Sequence, residues 1–249
     1  MNRVPIFLEE SQTNDEYLIV DPYRIEHIKN VLRGQAGDPI KITLINHGTG
    51  VAKILSLSPQ EIKIQLLSLT LGKPERLCML IGVCRPPSME KILEHATTSG
   101  VGEIHFFCAE LSDKSYLKSK VLREELIQKK LLDGLAQSAS GSHLPRVSLH
   151  KNLRLALDAL PNNPSRFMLS PKATAWFSDY PPCEEPVFAI GPERGFTEKE
   201  ETLLLQNKFL PVCISRGVLR VEMAVFHAQA QLELCQRLLS QKISETPLR

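Results

Sequence analysis

Two stretches of this 249-residue chain set charged side chains beside glycines, where backbone and side chain can act together on a bound molecule. The first is Ile190-Gly191-Pro192-Glu193-Arg194-Gly195-Phe196, followed by Thr197-Glu198-Lys199-Glu200. Thr197 and Glu200 have the spacing of a capping box, so a helix starts at about Glu198 and the residues before it form a strand-to-helix turn. Glycines let a backbone approach a ligand closely, and a helix N-terminus offers free N–H groups. A structural turn explains Gly191 and Pro192 but gives no reason for Glu193 and Arg194. The second stretch, Ile214-Ser215-Arg216-Gly217-Val218-Leu219-Arg220-Val221-Glu222-Met223-Ala224, runs from an apolar strand into the last helix. Glu222 complements the helix dipole there. Arg220 and Glu222 read either as a surface ion pair or as a guanidinium and carboxylate available to a reacting group.

The familiar nucleotide loops are missing. No G-x-G-x-x-G follows a strand, and Gly72-Lys73 lacks the remainder of a P-loop. Gly48-Thr49-Gly50 reads as a hairpin turn. A dinucleotide or nucleoside-triphosphate site is therefore not expected.

Positioning these loops requires an α/β frame. From Leu77 onward, apolar strands (Leu77 to Val83, Glu103 to Phe107, Phe167 to Leu169, Val187 to Ile190, Leu210 to Ile214) alternate with helical stripes such as Met89, Ile92, Leu93 and Ala96, which predicts a mostly parallel, doubly covered sheet. Ligands bind such sheets beyond the carboxyl ends of the strands, so the loops after residues 169, 190 and 214 are the expected site. A long helix is predicted to end near Ala139, another to cover Leu153 to Leu160, and a last one Val221 to Leu239. Residues 1–70 read differently. Asp21-Pro22 opens a short helix carrying Ile25, Ile28, Val31 and Leu32, and alternation at Ile40, Ile42, Leu44 and at Ile62, Ile64, Leu66 predicts a small β-barrel. The Gly72 and Pro74 region is the expected boundary, with domains at 1–70 and 75–243.

Composition narrows the partners. Net charge is only +2, but Lys114, Lys118, Lys120, Arg123, Lys129 and Lys130 cluster against Glu124 and Glu125. That run is either a solvated helix face or a track for nucleic-acid phosphates. The six cysteines form no C-x-x-C pair and no cluster at zinc-ligand spacing, so they read as small buried hydrophobes and no metal is expected. No apolar run is long enough to span a bilayer, and the N-terminus lacks the order of a secretory signal, which gives a cytoplasmic expectation without a membrane partner.

The two loops, IGPERGF and ISRGVLRVEMA, resemble in sequence and order those of the RsmE-type ribosomal RNA uridine N3-methyltransferases of the SPOUT superfamily, with their IGPEGGF-type and LGxRILRxETA-type loops. The resemblance spans most of the chain. His27 with Val31-Leu32-Arg33 and Gly37-Asp38 is similar to the family's N-terminal signature. Lys91, Ala96-Thr97, Gly100-Val101, Glu110, Ser112 and Pro145 match further elements.

The resemblance implies a PUA-like β-barrel followed by a SPOUT α/β domain with a C-terminal trefoil knot, acting as a homodimer on ribosomal RNA or the small subunit. It implies S-adenosyl-L-methionine as cofactor, held by Leu169, Ser170, Ile190, Gly191, Pro192, Glu193, Gly195, Ile214, Ser215, Gly217, Val218 and Leu219. Arg220, Glu222 and Arg194 become catalytic candidates, and Arg3, His27, Arg33, Lys114, Lys118, Lys120 and Arg123 RNA-binding ones. The chain departs from the family pattern at Arg194, Ser215 and Met223, at Thr98-Ser99, and at Gly217, Leu111 and Gly141, where arginines are lost. A methyltransferase acting on another RNA, or an RNA- or ribosome-binding protein without activity, are the alternatives.

Overall fold

The computed structural model describes residues 3–13, 15–139, 141–162, 165–181 and 183–245. Its strands are β1 (Val4–Ile6), β2 (Glu16–Ile19), β3 (Pro39–Leu44), β4 (Gly48–Leu57), β5 (Ile62–Leu71), β6 (Leu77–Gly82), β7 (Val101–Phe107), β8 (Arg146–His150), β9 (Arg166–Leu169), β10 (Val187–Ile190) and β11 (Leu210–Val212). Its α-helices are α1 (Pro22–Glu26), α2 (Pro86–Thr98), α3 (Glu124–Gln137), α4 (Leu153–Asp158), α5 (Glu198–Gln206) and α6 (Val221–Glu245). Among the described residues no helix is long and apolar enough to cross a membrane.

Two compact units result. The first gathers Met1–Glu75 with Thr97–Gly100 and Gln128–Leu144, and the second holds the rest. Sequence alone draws the boundary near Gly72 and Pro74, but it gives no sign that the end of α2 and most of α3 group with the N-terminal residues. The tie is local: Thr98 Oγ1 donates to the Gly134 carbonyl at 3.0 Å.

The first unit is a five-stranded sheet in the order β1-β3-β4-β5-β2. Only β1 and β3 are parallel; the other pairs are antiparallel. Alternation buries Ile40, Ile42, Ile62 and Ile64 as the pattern predicts, together with Val4, Ile6, Ile19 and Ile54. Register shifts at Val51/Ala52 and Ile54/Ser56 add the twist that curls β4 over the core. The hairpin turn lies earlier than predicted: Ile45 to His47 make it, with Asn46 at φ 61°. Gly48 and Gly50 are instead strand residues paired with β3 and β5, and glycine is needed there because a Cβ would fall 2.3 Å and 2.0 Å from the carbonyl oxygens of Thr70 and Ser68.

The predicted helix is also modified. After α1 the chain widens into a π turn over His27–Val31, in which the Leu32 N–H reaches the His27 carbonyl at 3.0 Å. The extra residue shifts the helical phase, so Val31 is 58% exposed and Leu32 packs on the core in its place. Arg24 anchors this segment. Its guanidinium meets Glu10 at 2.5 Å and 2.8 Å and donates to the Pro5 carbonyl at 2.9 Å. Both side chains are largely buried, 13% and 14% exposed, so removing one leaves the other without its counter-charge. Arg24→Ala is expected to lower the unfolding free energy by about 3 kcal/mol, checked by urea denaturation; a change within about 0.5 kcal/mol would make the pair a surface decoration.

The second unit is a six-stranded parallel sheet in the order β11-β9-β10-β6-β7-β8. β6 and β10 are buried along their whole length, as central strands covered on both faces must be. One face packs Leu80, Phe107 and Met168 against Leu153, Ala156 and Leu157 of α4 and Leu204 of α5. The other carries an aromatic cluster, Phe167, Phe177 and Phe188, with ring centroids 5.0 to 5.6 Å apart. β9 lies between β10 and β11, so the chain forms β10 on one side of it and then β11 on the other. This crossover pattern fits the knotted arrangement expected of the C-terminal part.

One strand goes unread in the sequence, and two expectations are corrected. β8 has no clean alternation in Arg146-Val147-Ser148-Leu149-His150 and was not expected as a strand; it is an edge strand paired only with β7. The segment before α3 is two short 3-10 turns, Lys114–Lys118 and Lys120–Leu122, capped by Asp113 and Ser119, rather than the start of one long helix. The side-chain caps compete with α-helical bonding there. Lys114, Lys118, Lys120 and Arg123 are all exposed on these turns, so they do not form a helix face. Finally, Cys78, Cys84 and Cys213 are buried, but Cys108, Cys183 and Cys235 are only half-buried.

Candidate functional site

Parallel registers bring three strand ends together. Met168 of β9 lies beside Ala189 of β10, and Leu169 beside Val212 of β11, so the loops after these strands emerge at one edge of the sheet. They enclose a cavity of about 400 Å³, within the range of small-molecule sites. A wider groove of about 660 Å³ beside α4 and α5 is lined by opposed charges, including Glu110, Arg154, Glu198 and Lys199, and lies open to solvent. The smaller, less open cavity is the better ligand site, because most of its wall is apolar side chain and glycine backbone.

Each loop is held from behind. Thr197 and Glu200 form the predicted capping box: Thr197 N–H donates to Glu200 Oε2 at 3.0 Å and Glu200 N–H to Thr197 Oγ1 at 3.3 Å. Glu200 is 5% exposed, and its other oxygen accepts the Glu110 N–H at 3.0 Å. In the turn before it, Gly195 N–H donates to the Pro192 carbonyl at 2.9 Å, and Gly195 takes φ 74°, a conformation that favours glycine. Gly191 is required by space, since a Cβ there would lie 3.0 Å from the Gly195 backbone. Glu193 Oε1 accepts the Arg85 N–H at 2.8 Å, tying this loop to the residue before α2.

The loop after β11 is stitched internally. Cys213 Sγ donates to the Ser215 carbonyl at 2.9 Å, and Gly217 N–H to Ser215 Oγ at 3.2 Å. Gln231 of α6 donates to the Ile214 carbonyl at 2.6 Å, and Ser170 N–H to the Val212 carbonyl at 3.0 Å.

All twelve residues singled out for cofactor contact line this cavity: Leu169, Ser170, Ile190, Gly191, Pro192, Glu193, Gly195, Ile214, Ser215, Gly217, Val218 and Leu219. Arg194 is in the wall too. Sequence reasoning missed Pro171, Lys172, Phe196, Glu201, Cys213, Val221 and Ala224. Phe196 closes the glycine motif, and Lys172 follows directly on Ser170, so adjacency was the available signal. Glu201 and Ala224 reach the wall one helical turn inside α5 and α6, which only the fold reveals.

The other two catalytic candidates flank the cavity. Arg220 is exposed and sits between wall residues Leu219 and Val221. Glu222 is buried, 5% exposed, and one carboxylate oxygen, Oε2, has no hydrogen-bond partner. Burial pushes its acidity down, but the N-terminal backbone N–H, the Ser88 hydroxyl, Lys91 and Arg220 outweigh that, so its pKa lies below the usual carboxylate value. Cys84 adjoins this group; burial, then the Glu193 and Glu222 carboxylates, push its thiol pKa up. The ensemble is a buried anion held behind an exposed guanidinium.

Of the RNA candidates, Arg3 commits two guanidinium nitrogens to the carbonyls of Ile42 and Ala139, at 3.2 Å and 3.0 Å. His27 lies in the π turn with Nε2 buried. Arg33 is exposed, at φ 53°. The first two are thus built into the unit and the third is free to meet a partner.

Comparison with known proteins agrees with this geometry. The profile of the RNA methyltransferase domain matches residues 72–233, and that of the RNA methyltransferase PUA domain residues 23–67. The chain is 29% identical over 92% of its length to ribosomal RNA small subunit methyltransferase E 1 of Borreliella burgdorferi, covering 95% of that protein. It is 30% identical over 83% of its length to ribosomal RNA small subunit methyltransferase E of Treponema pallidum, covering 81% of it. Among solved structures, ribosomal RNA small subunit methyltransferase E from Neisseria gonorrhoeae bound to S-adenosyl methionine superposes with a TM-score of 0.79 at 22% identity, covering 93% of this chain and 97% of that one. A putative methyltransferase from Legionella pneumophila in complex with the same cofactor gives 0.76 at 20% identity, covering 94% and 98%.

Proposed function

The chain belongs to the RNA methyltransferase family, and from that membership we propose that it uses S-adenosylmethionine to methylate N3 of a uridine in small-subunit ribosomal RNA. One observation carries the cofactor half of the proposal: twelve residues from three separate segments line a single cavity. The names of the relatives and the two motif loops support the ribosomal target. Such a target implies the cytoplasm.

When bound, the cofactor supplies a methyl group on a sulfonium centre. The protein's task is to hold the uracil edge in line with it, and positioning of this kind lowers a barrier by about 7–11 kcal/mol. The apolar wall and the glycine backbone at 191 and 195 hold the cofactor. N3 is weakly acidic, so negative charge develops on the base as its proton leaves, and the exposed Arg220 guanidinium stabilises it from the rim. Glu222, buried and acting electrostatically on Arg220, orients that guanidinium or accepts the N3 proton, which otherwise leaves to solvent at the rim. Arg194, in the wall, is the second cation. Because the reacting edge is the pairing edge, the target nucleotide is unpaired or flipped out.

The exposed Lys114, Lys118, Lys120 and Arg123 of the α/β unit, and Arg33 of the N-terminal unit, are the proposed phosphate contacts. A second copy of the chain is the proposed partner of α6, whose Met223, Leu234 and Leu238 are 40%, 56% and 49% exposed along one side. Residues three and four apart, and their multiples, share a helix face.

Two measurements test the proposal together. Calorimetry with S-adenosylmethionine is expected to show saturable binding, and mass spectrometry of ribosomal RNA from cells lacking the protein is expected to lose one N3-methylated uridine that the purified enzyme restores. Cofactor binding with an unchanged ribosomal RNA moves the target to another RNA. No cofactor binding leaves a non-catalytic RNA-binding protein.

A further inference from the structure

On β6, β7 and β8, and outside the lining of the cofactor cavity, the side chains of Cys78, Glu103, His105 and His150 converge. Cys78 of β6 pairs in register with Glu103 of β7, and His105 follows two residues later on the same face. The Cys78 Sγ, a Glu103 carboxylate oxygen and a His105 ring nitrogen all lie within 4.8 Å of one another. His105 Nε2 is 3.0 Å from Glu103 Oε2, and its Nδ1 is 3.0 Å from His150 Nε2 on β8. Cys78 and His105 are buried, 0% and 3% exposed.

We propose that Cys78, Glu103 and His105 form a binding site for a zinc-class divalent cation, with His150 as the outer partner that orients His105. The donor set selects the ion. Calcium and magnesium require oxygen ligands throughout, whereas a thiolate, an imidazole and a carboxylate together suit zinc. The second contact of His105 has the form that a metal-bound imidazole needs, one ring nitrogen on the ion and the other in a hydrogen bond that fixes tautomer and ring plane. Zinc bonds of about 2.0 to 2.3 Å mean that the widest donor pair closes by roughly an ångström, a side-chain rotation. Three protein ligands leave a fourth position for water, which enters past the Glu103 side chain, 23% exposed.

Charge is consistent with this. On binding, the sulfur–metal bond forms as the thiol proton leaves to solvent, and thiolate plus carboxylate neutralise the two positive charges of the ion. Burial and the neighbouring Glu103 carboxylate push the Cys78 thiol up to about 12, with the Arg166 guanidinium opposing them, so the thiolate forms only as the ion binds. Arg146, 3.8 Å from the other Glu103 oxygen, has a side chain 77% exposed and is free to swing into solvent. Without an ion the same groups make a hydrogen-bonded strut across β7 and β8, which is the competing account.

Cobalt(II) is the probe, because it takes zinc sites and reports a sulfur ligand by thiolate-to-metal charge-transfer absorption. The full chain, stripped with a chelator, is expected to bind one equivalent with that absorption, and zinc to displace it. Cys78→Ser is expected to lose the sulfur band, and Glu103→Gln to weaken cobalt binding by at least about tenfold, with circular dichroism showing both folded. Zinc is expected to raise the melting temperature of the wild type and not of Glu103→Gln, a reading that stands if Cys78→Ser fails to fold. Absence of the band in the wild type, or its persistence in Cys78→Ser, overturns the proposal in favour of the strut.

Discussion

Replacing Arg220 with alanine is expected to reduce the methyl-transfer rate about 10²–10³-fold while S-adenosylmethionine binding stays nearly unchanged. The separation follows from position. Arg220 is exposed and absent from the cavity wall, although Leu219 and Val221 on either side of it are in that wall. Its removal therefore strips charge from the rim and leaves the apolar lining intact. Arg220→Lys is expected to recover only part of the loss, because an ammonium cannot reproduce the planar fork of a guanidinium. Glu222→Gln keeps the shape of the buried group and removes its charge, so it loosens Arg220 and is expected to lower turnover less than Arg220→Ala does. Single-turnover methyl transfer, with calorimetry on the same preparations, separates the two effects. Full turnover by Arg220→Ala would take this residue out of the chemistry and pass its role to Arg194.

The site was legible in the sequence to the extent that it is local. Gly191, Gly195 and the Thr197–Glu200 capping box are features of one turn, and each has the geometry its residue types predict. The buried strands at Val187 to Ile190 and Leu77 to Gly82 were equally plain, because central strands of a parallel sheet are apolar throughout. Features that depend on pairing were not legible. Gly48 and Gly50 imitate a turn until β5 is known to run against them. Val31 keeps the helical spacing and still faces solvent, because one extra residue in the π turn shifts the phase. Cys78, Glu103, His105 and His150 occupy three adjacent strands, so no spacing rule along the chain could gather them. The burial of Glu222, which read as a helix-dipole complement and either a surface ion pair or a catalytic carboxylate, was not legible, since it depends on the tertiary neighbours Ser88 and Lys91 beside its own backbone N–H and Arg220.

Gly82→Ala carries the largest expected effect on cofactor binding from a residue that never touches the cavity. Gly82 ends β6, and a Cβ built there would lie 2.6 Å from Pro192 Cδ and 2.8 Å from Pro192 N. Something must move. β6 and β10 cannot separate, because Ile81 and Ile190 are paired in the middle of the sheet with strands on either side. The displacement therefore falls on Gly191 and Pro192, both in the cavity wall. Gly191 has no slack to absorb it, being packed closely enough on the Gly195 backbone that even a Cβ of its own would lie at 3.0 Å. Overpacking of this kind costs about 1–3 kcal/mol of stability, and the shifted loop is expected to weaken S-adenosylmethionine binding at least about tenfold, or 1.4 kcal/mol. Gly217→Ala is the stability control, since a Cβ there meets no atom within 4 Å and the fold is expected to keep its full stability. Denaturation and calorimetry on the two variants read out both quantities. A folded Gly82→Ala protein with wild-type cofactor affinity would mean that the loop at 191 to 195 yields without reshaping the cavity, and that its rigidity is not what holds the ligand.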